Sequence, residues 1–382
     1  MSVGNPKHKV LFICDHFPPS TVGGGGMRTV VNTIERLGDE FEFSVITRNP
    51  AVLTGSNLDS SRWVDAIGAK VYYLGRDEIS QARLQALIAD VAPDAIYLNS
   101  LFSRLTIAVL ASARKRAIFP QIIIAPCGEL LSAALGSKFL KKKLFLIAAR
   151  ALGLFKDVKW KASTDGERTA IIEHVGGYAD VTVAADLPQR FRNVHAAETS
   201  DKIPGVLRLA YLSRIDNHKN LLFLIEAVNS VGGDIHLDVY GDIHDERYHS
   251  ICVDKAKNNR AITFKGPIDN ALVPVTLSQY DFLALPTKGE NFGHVILEAL
   301  VARCPPIISD QTPWNDIETA GAGMVRTLDF DTWQKCLSEC VAMTNEQHRK
   351  MKAGSKMFAE SFLQNEEIEK ETRELLRRAC SG

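Results

Sequence analysis

The sequence lacks the features of a membrane-spanning, exported or nucleic-acid-binding protein. No apolar run approaches the ~18–20 residues that a transmembrane helix needs. The N-terminal MSVGNPKHKVLFIC passes from polar residues into a strand-like run without the apolar stretch of a signal peptide. Lysine plus arginine and aspartate plus glutamate both number 45, so no basic excess favours nucleic acid. We therefore expect a protein that is neither integral to a membrane nor exported by this route.

Metal-binding and disulfide patterns are also missing. The seven cysteines are scattered, with no CxxC pair. Cys336 and Cys340 stand four apart in a helical pattern, which is typical of small apolar side chains in a core. His236, His244 and His249 have neither helical ligand spacing nor an HExxH pattern. We expect no zinc site and a reducing cytoplasm as the setting.

What is present is the pattern of a two-domain α/β protein. The chain has 382 residues, more than one hydrophobic core usually serves, with 46% hydrophobic and 24% charged residues. Strand-like runs alternate with helical patterns, which indicates parallel sheets with crossover helices. Two doubly wound Rossmann-like domains would place a ligand cleft at the carboxyl ends of both sheets.

The alternation stops once, at a polar segment that predicts an interdomain linker. The predicted domains are residues 1–188, a linker at 189–205, residues 206–362, and a C-terminal helix at 363–382 that packs back toward the first domain. Predicted strands are 10–14, 41–47, 71–74, 95–98, 122–125, 180–184, 207–212, 235–240, 261–264, 282–285 and 306–309. Predicted helices of the first domain are 27–37, 79–91, 104–116, 138–152 and 166–174.

The most informative stretch is KGENFGHVILEALVARCPPII, residues 288–308. A strand precedes it, and a helix opens near Gly293. A helix N-terminus offers unpaired N–H groups and a positive dipole end, which suit a phosphate. Glu290 and Glu298 flank that helix start, and carboxylates accept hydrogen bonds from sugar hydroxyls. The pattern favours a ligand with hydroxyls at both ends and a diphosphate between them, which is a nucleotide sugar.

Two further loops contain groups suited to phosphate. In YLSRIDNHKNLLFLIEAV, Arg214 and Lys219 follow a strand, where α/β folds bind ligands. In FPPSTVGGGGMR, the Gly23–Gly26 run follows the first strand and allows close approach of the backbone to a ligand. This run is not GxGxxG, because Arg28 occupies the place of the last glycine.

Together these motifs resemble those of the family 4 retaining glycosyltransferases, which have the two-domain GT-B fold. The resemblance implies that Glu290 meets the donor sugar, Glu298 the ribose, and Arg214 and Lys219 the diphosphate. It implies a metal-independent enzyme of the hexosyltransferase type, with no protein nucleophile and no cofactor beyond the nucleotide-sugar substrate. The other donor-side residues that it implies are Gly24, Gly25, Gly266, Ile268, Asn291, Phe292 and Gly293.

The sequence departs from the family in its N-terminal half. Many members carry a histidine after a central strand, where this chain has IIIAPCGEL with Cys127 and Glu129. His16, in the loop CDHFPP, is a candidate substitute. We expect the acceptor side to involve His16, Arg28, Cys127 and Glu129.

Asp329-Phe330-Asp331 has the DxD form of metal-dependent glycosyltransferases of another fold. It precedes the helical run DTWQKCLSECV, and we interpret Asp331 as a helix N-cap. We therefore predict no metal site.

The segment KFLKKKLFLIAARALGLFKDVKWK, from Lys138 to Lys161, holds eight basic residues and one acidic residue. Such a helix could lie on an anionic membrane surface or form a crossover helix with a solvated basic edge. We favour the membrane, on its inner face, because family members that build polysaccharides often use polyprenyl-linked acceptors.

Three other functions stay open. A Rossmann oxidoreductase could use Arg48 for the 2′-phosphate of NADP, but GxGxxG is missing. A nucleotide-sugar epimerase or hydrolase would need no acceptor, and a silent partner subunit would bind a nucleotide or glycan without turnover. Neither the base, the sugar nor the acceptor (a glycan or a lipid-linked glycan) can be read from the residues.

Overall fold

A computed structural model of the chain describes residues 6–20, 24–50, 62–115, 119–131, 139–191 and 201–381. These residues form two compact units. The first contains residues 1–190 and 366–382, and the second contains residues 191–365.

The first unit is built on an eight-stranded sheet of order β3-β4-β2-β1-β5-β6-β7-β8. Its strands are β1 His8–Cys14, β2 Phe41–Arg48, β3 Trp63–Ala66, β4 Ala69–Leu74, β5 Ala95–Asn99, β6 Gln121–Ala125, β7 Val158–Ala162 and β8 Asp180–Val183. All neighbours pair in parallel except β3, which runs antiparallel to β4. The central strands are apolar along nearly their whole length because both faces of the sheet are buried.

Crossover helices cover that sheet. They are α1 Gly24–Leu37, α2 Gln81–Val91, α3 Arg104–Ala113, α4 Phe139–Ala151 and α5 Asp165–Val175, with a 3₁₀ turn at Arg76–Glu78. Ser80, Ser103 and Thr164 cap α2, α3 and α5 by accepting backbone N–H bonds in the first turn.

The second unit has a six-stranded, all-parallel sheet of order β11-β10-β9-β12-β13-β14. Its strands are β9 Val206–Leu212, β10 Asp234–Tyr240, β11 Ile262–Gly266, β12 Phe282–Leu285, β13 Pro306–Ser309 and β14 Met324–Arg326. Its helices are α6 Leu221–Ser230, α7 Glu246–Ala256, α8 Val273–Leu277, α9 His294–Val301, α10 Asp316–Thr319, α11 Phe330–Ala342 and α12 Asn345–Leu363, with a 3₁₀ turn at Asn270–Leu272. Cys336 and Cys340 are buried in its core.

The strand order of the second unit reverses between β9 and β12. The chain winds from β9 outward to β10 and β11, then returns to the other side of β9 to form β12. At such a switch point the loops after the two adjacent strands lead away in opposite directions, leaving a crevice at their carboxyl ends. The loops after β9 and β12 therefore form the expected ligand position.

The last helix, α13 Glu366–Cys380, belongs to the first unit. Leu375 and Leu376 are buried in the same cluster as residues of β1 and β2. Arg373 Nε lies 2.5 Å from Glu40 Oε1, in the turn before β2. The end of the chain thus completes the core of the unit in which the chain begins.

The predicted class, two parallel-sheet α/β domains with C-terminal helices, is confirmed. The predicted helix 138–152 is found as α4, but the rest of the basic segment Lys138–Lys161 is not helical. α4 ends at Ala151, and residues 158–162 form β7, an interior strand. Lys161 is buried there in an ion pair with Asp186, so it cannot contribute to a basic surface. Strands β3, β7 and β14 were not predicted; β3 and β14 are only four and three residues long. Among the helices that the structure describes, none has the length and apolarity to cross a bilayer.

Candidate functional site

The centre of the candidate site is an ion pair between Lys219 and Glu290. Lys219 Nζ lies 2.5 Å from Glu290 Oε1, and both side chains are largely buried. Lys219 is in the loop after β9, and Glu290 is in the loop after β12. The switch point of the second sheet thus brings together two residues that are 71 positions apart in the chain.

The loop after β9 is shaped by Asp216, which the sequence analysis did not single out. Its Oδ1 accepts the backbone N–H bonds of His218 and Lys219, at 2.9 and 3.0 Å. Its Oδ2 lies 4.0 Å from Arg214 Nη2. Asn220 then adopts a left-handed conformation, with φ of 60°, as the N-cap of α6. Asp216 therefore fixes the turn that presents both predicted cations.

The loop after β9 packs closely against a glycine that follows β10. A Cβ at Gly241, at the end of β10, would lie 1.8 Å from the Ser213 carbonyl oxygen, and φ is +142°. The Gly241 N–H also donates to the Gly266 carbonyl at 2.9 Å. Gly266 ends β11 with φ of +77°, and Ile268 beyond it is partly buried against the core. Only glycine fits position 241, a requirement that the sequence pattern did not reveal.

The loop after β12 is tied to the loop after β9 through His218. The Lys288 N–H donates to the His218 carbonyl at 2.9 Å, and His218 Nε2 lies 2.8 Å from the Gly289 carbonyl. Because a carbonyl only accepts, Nε2 carries the hydrogen. Burial, followed by the charge of Lys219, lowers the pKa of His218, so the ring is neutral at neutral pH. The neutral ring thus joins the two loops through a hydrogen bond.

The loop then opens α9 at Gly293, which is its left-handed N-cap with φ of +81°. Phe292 is buried against Trp314, whose Nε1 donates to the Phe292 carbonyl, so Phe292 can meet a ligand only through its backbone. Asn291 is partly exposed. Glu298 lies one turn into α9 and is only 2% exposed.

The predicted acceptor-side residues lie in the first unit, as do Gly24 and Gly25. Gly24 begins α1 with φ of +54°, Gly25 is exposed and Arg28 is partly exposed. His16 Nδ1 lies 3.5 Å from Ser20 Oγ in the loop after β1. Gly23 lies outside the described residues.

The start of α1 is held by the end of β5. Asn99 Nδ2 donates to the Gly26 carbonyl at 2.9 Å, and the Cys127 thiol donates to Asn99 Oδ1 at 3.1 Å. Burial, followed by the charges of Asp186 and Glu167, raises the pKa of Cys127 well above its ordinary value. The thiol is protonated at neutral pH, so Cys127 is a structural donor and not a nucleophile.

Glu129 takes a similar structural position. Its carboxylate accepts the Ser100 hydroxyl at 2.8 Å and the Leu101 N–H at 2.7 Å. Burial raises its pKa despite these bonds. Cys127 and Glu129 thus brace the loops at the carboxyl ends of β5 and β6.

A buried network of hydrogen bonds and one ion pair lies at the ends of β7 and β8, and the sequence motifs did not predict it. Glu167 is fully buried and accepts the N–H groups of Gly128 and Ser163, at 2.6 and 2.7 Å. The Lys161–Asp186 pair lies beside it, with the Ser163 hydroxyl donating to Asp186 at 2.9 Å. The pairing of Lys161 with a carboxylate 25 residues away left no signal in the sequence.

The interpretation of the DxD pattern as a helix cap needs one correction. The N-cap of α11 is Asp329, whose Oδ1 accepts the Thr332 N–H at 2.9 Å. Asp331 lies instead in the first turn of that helix.

Comparisons with known proteins find a family that matches part of the chain and solved structures of similar fold. A family described as glycosyl transferases group 1 matches residues 198–327. No curated protein matches by sequence. A sucrose-phosphate synthase from Thermosynechococcus elongatus is 16% identical, covers 97% of this chain and 99% of its own, and superposes with a TM-score of 0.75.

Two more solved structures are similar. Anabaena HepE, in complex with UDP and glucose, is 14% identical, with 97% of this chain and 100% of that chain covered and a TM-score of 0.73. WaaG, a glycosyltransferase involved in lipopolysaccharide biosynthesis, is 14% identical, with 92% and 95% covered and a TM-score of 0.65. The fold is that of the GT-B glycosyltransferases, and the resemblance drawn from the motifs is confirmed at this level.

Proposed function

We propose that the chain is a retaining, metal-independent hexosyltransferase that moves a sugar from a nucleoside-diphosphate donor to a hydroxyl of a glycan or lipid-linked glycan. The observation that carries this proposal is the Lys219–Glu290 pair at the switch point, with Arg214 on the same loop. It places two cations and one carboxylate beside a helix N-terminus. The group 1 match over these same residues supports it.

The charged side chains of the site match the chemical groups of a nucleotide sugar. Arg214 and Lys219 stabilise the negative charge that develops on the departing diphosphate, without a metal. Glu290 accepts hydroxyls of the sugar, and Glu298 those of the ribose. The backbone at Gly266 and Ile268 meets the base, and the Asn291–Gly293 backbone faces the phosphates. Gly24 and Gly25 of the first unit are assigned to the donor side by the motif resemblance alone.

The reaction keeps the configuration of the sugar. The bond from the anomeric carbon to the diphosphate oxygen breaks, and a bond to the acceptor oxygen forms on the same face. The acceptor proton passes to the leaving phosphate, so no protein nucleophile is needed. His16, Arg28, Cys127 and Glu129 are assigned to the acceptor side, with Cys127 and Glu129 acting through the loops they brace.

The acceptor is proposed to lie at an anionic membrane surface. Three large side chains on α4, Leu140, Leu144 and Ile147, are 73%, 67% and 56% exposed and share one helix face. Lys141 and Lys143 are exposed beside them. An apolar stripe flanked by cations suits an interface of lipid headgroups.

Thermal-shift screening of nucleotides and nucleotide sugars, followed by turnover assays, tests the proposal. Activity should need donor and acceptor together and survive a chelator. Turnover of the donor with no acceptor would favour an epimerase or hydrolase. Binding with no turnover of any donor would favour a silent subunit, and activity restored by manganese after chelation would contradict metal independence.

A further inference from the structure

Three side chains of metal-binding type converge where the strands of the first sheet begin. This is the end of the sheet opposite the loops that follow β1, β5 and β6. They are His8 at the start of β1, Asp94 just before β5, and Cys380 at the end of α13. One ligand atom from each, the nearest imidazole nitrogen, carboxylate oxygen and thiol sulfur, lies within 4.8 Å of the other two. The three are far apart in the sequence, so no spacing motif revealed them.

The backbone fixes where each side chain starts. The Asp94 N–H donates to the Lys9 carbonyl at 2.9 Å, and the Lys9 N–H donates to Asp94 Oδ2 at 2.8 Å. This holds the turn before β5 against β1. On the other element, Ala379 is buried in the core of the unit, which fixes the last turn of α13 and with it Cys380.

The spacing suits a small tetrahedral ion. With metal–ligand bonds of about 2.0 Å to nitrogen and oxygen and about 2.3 Å to sulfur, ligand atoms around zinc lie about 3.3–3.8 Å apart. His8 Nδ1 and Asp94 Oδ2 are already 3.5 Å apart. The His8 side chain is 48% exposed, so its ring can turn toward the thiol without breaking the bond from the Lys9 N–H to Asp94 Oδ2, and water can take the fourth position.

The charges also fit. Burial, then the neighbouring Asp94 carboxylate, raises the pKa of Cys380 to about 12. A divalent cation between the two reverses this effect by favouring the thiolate. The neutral imidazole, the carboxylate and the thiolate together balance a charge of +2, and binding releases the single thiol proton to water.

We propose that His8, Asp94 and Cys380 form a zinc site that clamps the end of α13 to the sheet of the first unit. The ligands come from three separate elements, so the ion joins the last turn of the chain to its first strand. The site lies in the first unit, whereas Lys219 and Glu290 belong to the second, and it does not depend on the proposed transfer reaction.

Titration of the reduced, tag-free full chain with Zn²⁺ and Co²⁺ tests this site. We expect one Zn²⁺ per chain by calorimetry, a higher melting temperature with Zn²⁺, and a thiolate-to-cobalt charge-transfer band with Co²⁺. Cys380→Ser should abolish the band, and Cys380→Ser, His8→Gln and Asp94→Asn should each weaken Zn²⁺ binding at least about tenfold. The metal-free variants should melt near the wild type, since His8 and Asp94 are half exposed.

The matched control is His236→Gln. His236 Nε2 also lies 2.9 Å from a carboxylate, that of Asp234, and both are exposed. This variant should bind Zn²⁺ as the wild type does. Cobalt binding without the thiolate band, or equal Zn²⁺ affinity in Cys380→Ser, would overturn the proposal.

Discussion

Lys219 Nζ and Glu290 Oε1 are 2.5 Å apart, so each of these two charges already has an opposite charge beside it. Neither side chain is freely solvated. The pair therefore holds a cation in place without leaving it uncompensated in a partly buried position. A diphosphate bound to Lys219, as proposed above, would share or displace this contact, which would couple phosphate binding to the position of the carboxylate.

Arg214→Ala and Lys219→Ala should each weaken binding of a nucleoside diphosphate about tenfold or more, because a charge-assisted contact contributes ~1.5–3 kcal/mol. Calorimetry with UDP and GDP measures the loss. Lys257→Ala removes an exposed cation paired with Asp254 in the same unit and should have no effect. Wild-type affinity in both site variants would remove these residues from the phosphate site.

Adding Glu290→Gln to Lys219→Ala should recover part of the lost affinity. In the single variant the Glu290 carboxylate keeps its charge without its partner and repels the diphosphate, whereas glutamine does not. A double-mutant cycle on diphosphate binding should give a coupling of ~0.5–3 kcal/mol. Strictly additive losses would show that the two residues act on the ligand independently.

Glu290→Gln alone should lower turnover more than donor binding. Glutamine keeps the shape and the hydrogen-bonding oxygen, but it cannot stabilise the positive charge that develops on the sugar. Steady-state rates at saturating donor and acceptor, set beside donor affinity from calorimetry, separate the two effects. An unchanged turnover rate would contradict the assigned role.

Much of this site was readable from the sequence because it is built from loops that follow strands. Arg214, Lys219, Glu290 and Gly293 follow β9 and β12, which are short, largely apolar runs followed by polar loops. What the sequence could not reveal is which loops are neighbours. That depends on the strand order, which places β9 beside β12.

The errors have local physical causes. Strand β7 reads Val-Lys-Trp-Lys-Ala, and its lysines resemble those of the preceding basic helix. A lysine is compatible with an interior strand only when a carboxylate neutralises it, as Asp186 does for Lys161. The cap of α11 was misplaced by two residues because both Asp329 and Asp331 are good capping residues, and backbone geometry alone decides between them.

The free energy of unfolding of the second unit should fall as the pH drops below about 6.5. His348 is fully buried on α12, and Nε2 donates to the Asp281 carbonyl at 2.8 Å. Burial is the largest cause that lowers its pKa. Because the folded pKa lies below the unfolded one, the unfolded chain takes up the proton first. The stability present above the unfolded pKa is lost as the pH falls toward the folded pKa.

His348→Gln should flatten this part of the profile, since glutamine keeps a donor but does not titrate. Urea unfolding at about pH 7.5 and about pH 5.5 measures the difference. His236→Gln, on an exposed side chain, is the control and should keep the wild-type slope. An unchanged slope in His348→Gln would assign the pH dependence to other groups.

The remaining prediction concerns α4, where the structure narrows the choice of lysines. Lys142 Nζ lies 5.1 Å from the centre of the Phe102 ring, and Lys161 is buried in an ion pair, so neither is chosen for substitution. Lys141 and Lys143 are exposed beside the apolar face. Reversing both to Glu should weaken binding to anionic vesicles about 30-fold or more, because each cation contributes ~1 kcal/mol at such a surface.

Co-sedimentation with vesicles of anionic and of neutral lipid measures this binding. The control is the double variant Lys70→Glu/Lys115→Glu, which reverses two other exposed lysines of the first unit. It changes the net charge by the same amount and should leave vesicle binding intact. Leu144→Ser should weaken binding even at raised salt, where screening has already reduced the contribution of the lysines. Activity on a water-soluble acceptor analogue should stay near the wild-type level in every variant. If the wild-type chain does not sediment with anionic vesicles at low salt, α4 is a crossover helix with a solvated edge, and the acceptor is water-soluble.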